Sequence, residues 1–220
     1  MSPRPASFDR LAGLYRPLEF LAFGRDLEWA RFHFLPRLHA CRSILVLGEG
    51  DGRCLARLVQ AAPAARIHCI DASAAMLARA ATRIAGTEAQ ARVTFECNDI
   101  LAAQLPAAAY DAVITFFFLD CFTAPQAERV VAQVEAVLQP EACWLFADFV
   151  LPPHGLARWR ARAWVALLYV FFRWETGVSA RALPPSEQII RDAGFEPEAS
   201  RELQGGLLRS VIFRRRRGAA

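Results

Sequence analysis

Apolar residues follow two rhythms along this chain. Between residues 43 and 150, short and nearly continuous apolar runs alternate with stretches of helical spacing. The runs are SILVL (43–47), RIHCI (66–70), RVTFE (92–96), YDAVIT (110–115) and CWLFADF (143–149). Helices are expected between them, near 53–61, 73–85 and 125–138. Strands that are apolar on both faces and joined by helical crossovers make a parallel sheet. The segment therefore reads as a doubly wound α/β unit.

The flanks differ. Residues 1–42 have an amphipathic helical pattern, with Leu18, Leu21, Leu27, Phe34 and Leu38 near helical spacing and Gly24 as a break. After residue 150, Pro152-Pro153 leads into an aromatic helix over 156–174. Pro184-Pro185 then precedes SEQIIRDAGF, where Ser186 is the expected N-cap and Gly194 the stop. FEPEASREL and LLRSVIFRR flank a QGG turn and form a hairpin. The expected α/β architecture is one domain over 1–220 with a Rossmann-like, mostly parallel, seven-stranded sheet ending in an antiparallel hairpin. It divides into a helical N-terminal cover (1–42), a core (43–150), a helical lid (151–185), and a closing helix and β-hairpin (186–217).

Composition narrows the class. The chain has 220 residues, 55% hydrophobic and 22% charged, enough for a real core and unlike a disordered chain. All 26 basic side chains counted as Lys+Arg are Arg, and alanine is abundant, as in GC-rich bacterial coding. Much of the net charge of +4 lies in Arg214-Arg215-Arg216-Arg217. Such a run could touch nucleic acid or acidic lipid, but it reads better as a solvated tail ending the last strand. The six cysteines form no CxxC and no zinc spacing, so no metal site is expected and a reducing, cytoplasmic setting is. Cys69 and Cys97, in strand-like runs, read as small buried hydrophobes. The opening MSPRPASFDR lacks the apolar core of a signal peptide. The longest apolar run, residues 163–172, is too short to span a bilayer.

Candidate chemistry begins at ILVLGEGDGR (44–53). Ligands of an open α/β sheet bind at the carboxyl ends of the strands, and Gly48, Gly50 and Gly52 would let backbone approach one closely. Arg53 stands where a dinucleotide fingerprint wants its third glycine, and no lysine exists for a phosphate loop. Glu49 and Asp51 oppose an anionic ligand and suit a cationic or polar end. Asp71 ends the second strand, where an acid can accept both hydroxyls of a ribose. Asp99 ends the third, beside Asn98, where a carboxylate can receive an adenine amino group. Capping of the following helices is the other reading of these two acids.

Glycines plus two acids at three successive strand ends resemble class I S-adenosylmethionine-dependent methyltransferases. The resemblance covers residues 8–150 by motif and 180–215 by the closing helix and hairpin. It implies S-adenosylmethionine as cofactor. The glycine loop would pack on its methionine part, Asp71 would bind the ribose and Asp99 the adenine. FDRLAGLY (8–15) is similar to the family's leader segment and would bring Phe8, Asp9 and Tyr15 to the site. Ala72, Met76, Ile100, Thr115 and Phe116 complete the implied cofactor contacts. The chain departs from the family at Val46, where relatives carry an acid two residues before the first glycine. Glu49 is the candidate substitute.

Methyl transfer is an in-line displacement that needs alignment and sometimes a base. The segment TFFFLDCF (115–122) lacks the N-P-P-Y or D-P-P-Y motif of enzymes that methylate nucleobase amino groups. Phe117 and Phe118 point to an apolar or aromatic small-molecule acceptor, or pack in the core. Asp120 reads as base, as orienter of an acceptor hydroxyl, or as cap of the helix near Pro125. Asp148 and His154 are further candidates, and a histidine titrates near neutral pH. Trp164 and Tyr169 on the aromatic helix would line the acceptor pocket as a lid. That helix also reads as a homodimer face or a membrane-surface contact, since arginines flank it. The expected activity is methyl transfer to a small acceptor without nucleic acid. The alternatives are an RNA or protein methyltransferase, or a non-catalytic cofactor-binding interaction protein.

Overall fold

The computed structural model describes residues 25–151 and 183–216. The expectations for Phe8, Asp9, Tyr15, His154, Trp164, Tyr169 and the helix 156–174 lie outside these residues. The described elements are α1 (Asp26–Phe32), β1 (Ser43–Leu47), α2 (Arg53–Ala61), β2 (Arg66–Asp71), α3 (Ala74–Ile84), β3 (Val93–Cys97), β4 (Tyr110–Phe116), α4 (Ala124–Val137), β5 (Leu138–Phe149), α5 (Ser186–Asp192), β6 (Phe195–Leu203) and β7 (Leu208–Arg215). They form one sheet in the order β3-β2-β1-β4-β5-β7-β6. The first five strands pair in parallel, while β7 runs antiparallel to both β5 and β6. The order reverses between β1 and β4, which opens a crevice at their carboxyl ends.

Alternation along β1 divides the core. Ile44 and Val46 pack with Leu55 and Leu58 of α2 and Leu77 and Ala80 of α3. Leu45 and Leu47 face the other way, into Val130 and Val134 of α4 and Ile190 of α5. Helices therefore cover both faces, which explains why the central strands read as apolar throughout.

Four expectations are corrected. Strand β5 starts at Leu138, well before the apolar run at 143, because Leu138 pairs with Tyr110 ahead of a register shift that absorbs the polar QPEA. Ser186 is the first helical residue and not the cap; Pro185 holds the cap position and no side chain caps there. Cys97 is exposed, because it closes β3 at the sheet edge. The terminal arginines are not a free basic run: Arg214 pairs with Glu198, Arg215 with Glu135 and Arg216 with Glu196. These pairs fasten β7 to the edge strand β6 and to α4. Glutamates, Pro197 and a bulge also keep that edge from pairing further.

Candidate active site

The loop between β1 and α2 sits at the topological switch point. Its turn is held from β2: the Gly48 N–H donates to the Ile70 carbonyl at 2.9 Å. Gly50 has φ +67 and nothing within 4 Å of where a side chain would begin, so its outer face is open for a ligand. Gly52, at φ +86, is closed instead, because an added Cβ would lie 2.5 Å from the Ala80 backbone of α3. The loop thus needs Gly50 for access, and Gly52 and Gly48, which the Phe118 ring closes, for packing.

Asp71 joins the loop to β2. Its Oδ2 accepts the Gly50 N–H at 3.1 Å and its Oδ1 accepts the Ser73 N–H at 2.9 Å. Burial pushes its pKa up, and these two backbone bonds pull against that. A carboxylate has about four acceptor sites, so each oxygen keeps one lone pair for a ligand hydroxyl. Ser73 in turn caps α3, its Oγ accepting the Met76 N–H at 3.2 Å. Ala72 lies exposed between Asp71 and this cap.

The other acids of the loop have separate tasks. Glu49 is buried, and its Oε1 accepts the Leu55 N–H at 2.8 Å, which satisfies the first turn of α2. Its Oε2 is buried with no hydrogen-bond partner. Burial is the main reason its pKa rises to about 8. Burial also works against the Asp51 carboxylate, but Arg53 and Arg83 outweigh it and hold the pKa below the usual value. Both guanidiniums lie 3.0 Å from Asp51. Arg53 and Arg83 are therefore committed to the Asp51 carboxylate and are not left to hold a phosphate.

At the end of β3, Asp99 is exposed and its Oδ1 accepts the Leu101 N–H at 3.0 Å, shaping the turn that buries Ile100. Asn98 donates to Glu96 at 2.9 Å and its backbone N–H reaches the Asp71 carbonyl. Asp99 thus shapes a turn and caps no helix, and its second oxygen stays available to a ligand.

The fourth strand divides its residues between core and crevice. Thr115 is 1% exposed, and its hydroxyl accepts the Trp144 indole N–H at 2.8 Å, a packing contact between strands. Phe116 is buried in the core. Phe117 turns into the left-handed region at φ +52, which is strained for a bulky residue. Its ring lies 5.0 Å from Phe149, and the Arg31 guanidinium sits over it at 4.8 Å. Phe118 packs on Phe122 at 5.1 Å and against Gly48. Thr123 and Gln126 make a capping box for α4, so Asp120 does not cap that helix. Asp120 stands in the turn after β4, and burial is the main reason its pKa rises to about 6. Asp148, late in β5, accepts the Asp120 backbone N–H on its carboxylate. Sequence reasoning missed Arg31, since α1 carried only an apolar signal.

This strand order, with a glycine turn at the switch point and an acid at the next strand end, defines a class I methyltransferase fold. Comparisons with known proteins agree. Residues 44–141 match the protein-family model described as a methyltransferase domain. Uncharacterized methyltransferases of Mycobacterium bovis and Mycobacterium tuberculosis are 28% identical over 199 residues, covering 86% of this chain and 95% of theirs. Among solved structures, the mitomycin 7-O-methyltransferase aligns with a TM-score of 0.68 at 17% identity, over 94% of this chain and 58% of that one. The S-adenosylmethionine-dependent methyltransferase SibL aligns with 0.69 at 19%, over 99% and 64%. The N-methyltransferase NodS from Bradyrhizobium japonicum aligns with 0.61 at 18%, over 87% and 97%. The chain spans about three-fifths of the first two structures, and at these identities the likeness concerns the fold. The chain is thus similar to methyltransferases in sequence over residues 44–141 and shares their fold.

Proposed function

We propose that this protein transfers a methyl group from S-adenosylmethionine to a small aromatic or apolar acceptor. The observation that carries the reading is the Asp71 carboxylate. It braces the glycine loop through Gly50 and keeps lone pairs for a vicinal diol. The rest of the site fits that cofactor and no phosphate ligand. Gly50 leaves open space, and the loop arginines are taken up by Asp51. The buried, unpartnered Oε2 of Glu49 is the acceptor in the loop suited to an ammonium. Asp99, exposed beside the buried Ile100, would receive the exocyclic amine of the adenine.

When bound, the cofactor supplies an activated methyl on sulfur. The chain's own residues hold and orient it, and shape the acceptor side from Phe117, Phe118 and the turn after β4. The mitomycin enzyme and SibL, as small-molecule or S-adenosylmethionine-dependent methyltransferases by name, support this reading. A macromolecular acceptor gathers little support, because Arg214, Arg215 and Arg216 are engaged with glutamates.

Calorimetry with S-adenosylhomocysteine tests the cofactor. Saturable binding that Asp71→Ala weakens is the expected result, and absence of binding at roughly 1 mM overturns it. Transfer of a labelled methyl group into organic-soluble fractions of a bacterial extract, and not into its RNA or protein, tests the acceptor class.

A further inference from the structure

The carboxyl ends of β4 and β5 hold a pair of acids for which cofactor binding has no use. Asp148 is 1% exposed. Its Oδ1 accepts the Phe149 N–H at 2.9 Å, and the carboxylate also receives the backbone N–H of Asp120. Its Oδ2 is buried with no hydrogen-bond partner. The Asp120 carboxyl takes the Cys121 thiol at 3.6 Å. Among the described residues, the charged and titratable groups that reach the pair are Arg31 from α1, the Cys121 thiol and, through Cys121, Asp71.

A carboxyl oxygen buried without a donor is costly, and two adjacent carboxyls resist ionising together. Burial, and then the charge of Asp120, push Asp148 well above the usual carboxylate range. The pair therefore titrates as a unit, with one proton held and one charge left. Such a unit attracts a hydrogen-bond donor and repels an anion. Phe117, three residues before Asp120, holds a strained left-handed conformation and packs its ring on Phe149, the sequence neighbour of Asp148. Strain of about 1–3 kcal/mol at a bulky residue persists where the surroundings over-determine it, often at ligand sites.

We propose that Asp120 and Asp148 form the subsite that takes the acceptor's proton, so that the acceptor is a neutral aromatic molecule whose reacting oxygen or nitrogen bears a hydrogen. This rests on the methyltransferase reading above. In the step, the lone pair of that oxygen or nitrogen forms the bond to the methyl carbon. The carbon–sulfur bond pair stays on sulfur, and the displaced proton passes to the ionised member of the pair. An acceptor that presents a carboxylate in this position is excluded by charge.

The test uses the full chain saturated with S-adenosylhomocysteine and three probes on one ring system: 2-naphthol, 2-naphthylamine and 2-naphthoate. The first two are expected to bind at least about tenfold more tightly than 2-naphthoate, and Asp120→Asn, which leaves only the proton-holding Asp148, to bring that ratio within about threefold. Equal or tighter binding of 2-naphthoate overturns the proposal. So does failure of all three to bind, or an unchanged ratio in a folded Asp120→Asn. If that variant does not fold, the wild-type series already decides the charge preference, and Asp148→Asn, which keeps the Asp120 charge, is expected to keep the ratio. Failure of S-adenosylhomocysteine to bind would strike the cofactor reading instead, and the ligand-free chain would still report how the three probes rank.

Discussion

The Asp71 carboxylate, at the end of β2, holds the backbone N–H of Gly50 at 3.1 Å in the loop after β1. One acid thus fixes the ligand loop and offers itself to the ligand. Asp71→Asn separates these tasks poorly, because an amide turned toward Gly50 or Ser73 sets N–H against N–H. We expect Asp71→Asn to lower S-adenosylhomocysteine affinity by about ten- to a hundredfold and stability by roughly 1–2 kcal/mol. Calorimetry and urea unfolding read the two effects. Unchanged affinity in the folded variant would remove Asp71 from the cofactor.

Gly50 and Gly52 share a positive φ but differ in what surrounds them. Gly50→Ala adds a methyl in open space and bears only the backbone strain of about 1 kcal/mol. Gly52→Ala adds the same strain and a collision with the α3 backbone at Ala80. Thermal melts should show a small loss for the first and a loss of about 3 kcal/mol or more for the second. The order of ligand affinity should reverse among folded protein, with Gly50→Ala the weaker binder per folded molecule.

Glu49 carries a pH signature. Its pKa rises from 4.5 to about 8 on folding. Between those values the folded chain keeps a proton that the unfolded chain has lost. Its contribution therefore falls as pH rises through the window and is least favourable above about pH 8. Glu49→Gln retains an acceptor for the Leu55 N–H and does not titrate. The ligand-free wild type should lose on the order of a few kcal/mol, relative to that variant, between pH 5 and pH 8.5. Denaturant midpoints across this range check it, and parallel curves for the two proteins would contradict it.

Local signals made the framework legible: alternating apolar runs gave the strands, and the glycine spacing with Asp71 gave the ligand edge. Glu49 was visible as an acid in an unusual place, but its bond to Leu55 depends on how the turn folds back onto α2. Arg31 reaches Phe117 only because α1 docks on β7 and β5, which no local pattern encodes. The same holds for Asp120 and Asp148, each ambiguous alone and informative only as a pair. The early start of β5 was hidden by polar residues that a register shift accommodates.

Thr115 was expected at the cofactor, and the structure gives its hydroxyl another occupation. Thr115 and Trp144 are diagonal neighbours on β4 and β5, since Val113 pairs with Trp144 and Thr115 with Phe146. The Trp144 indole N–H, wholly buried, donates to Thr115 Oγ1 at 2.8 Å. Thr115→Val keeps the shape and removes the acceptor, which strands a buried donor at a cost of about 1–3 kcal/mol. Urea unfolding should show that loss, while S-adenosylhomocysteine affinity stays within about twofold of wild type, because the hydroxyl is already engaged by the Trp144 indole between the two strands. The reverse pattern, with stability kept and affinity lost, would place the hydroxyl on the cofactor after all.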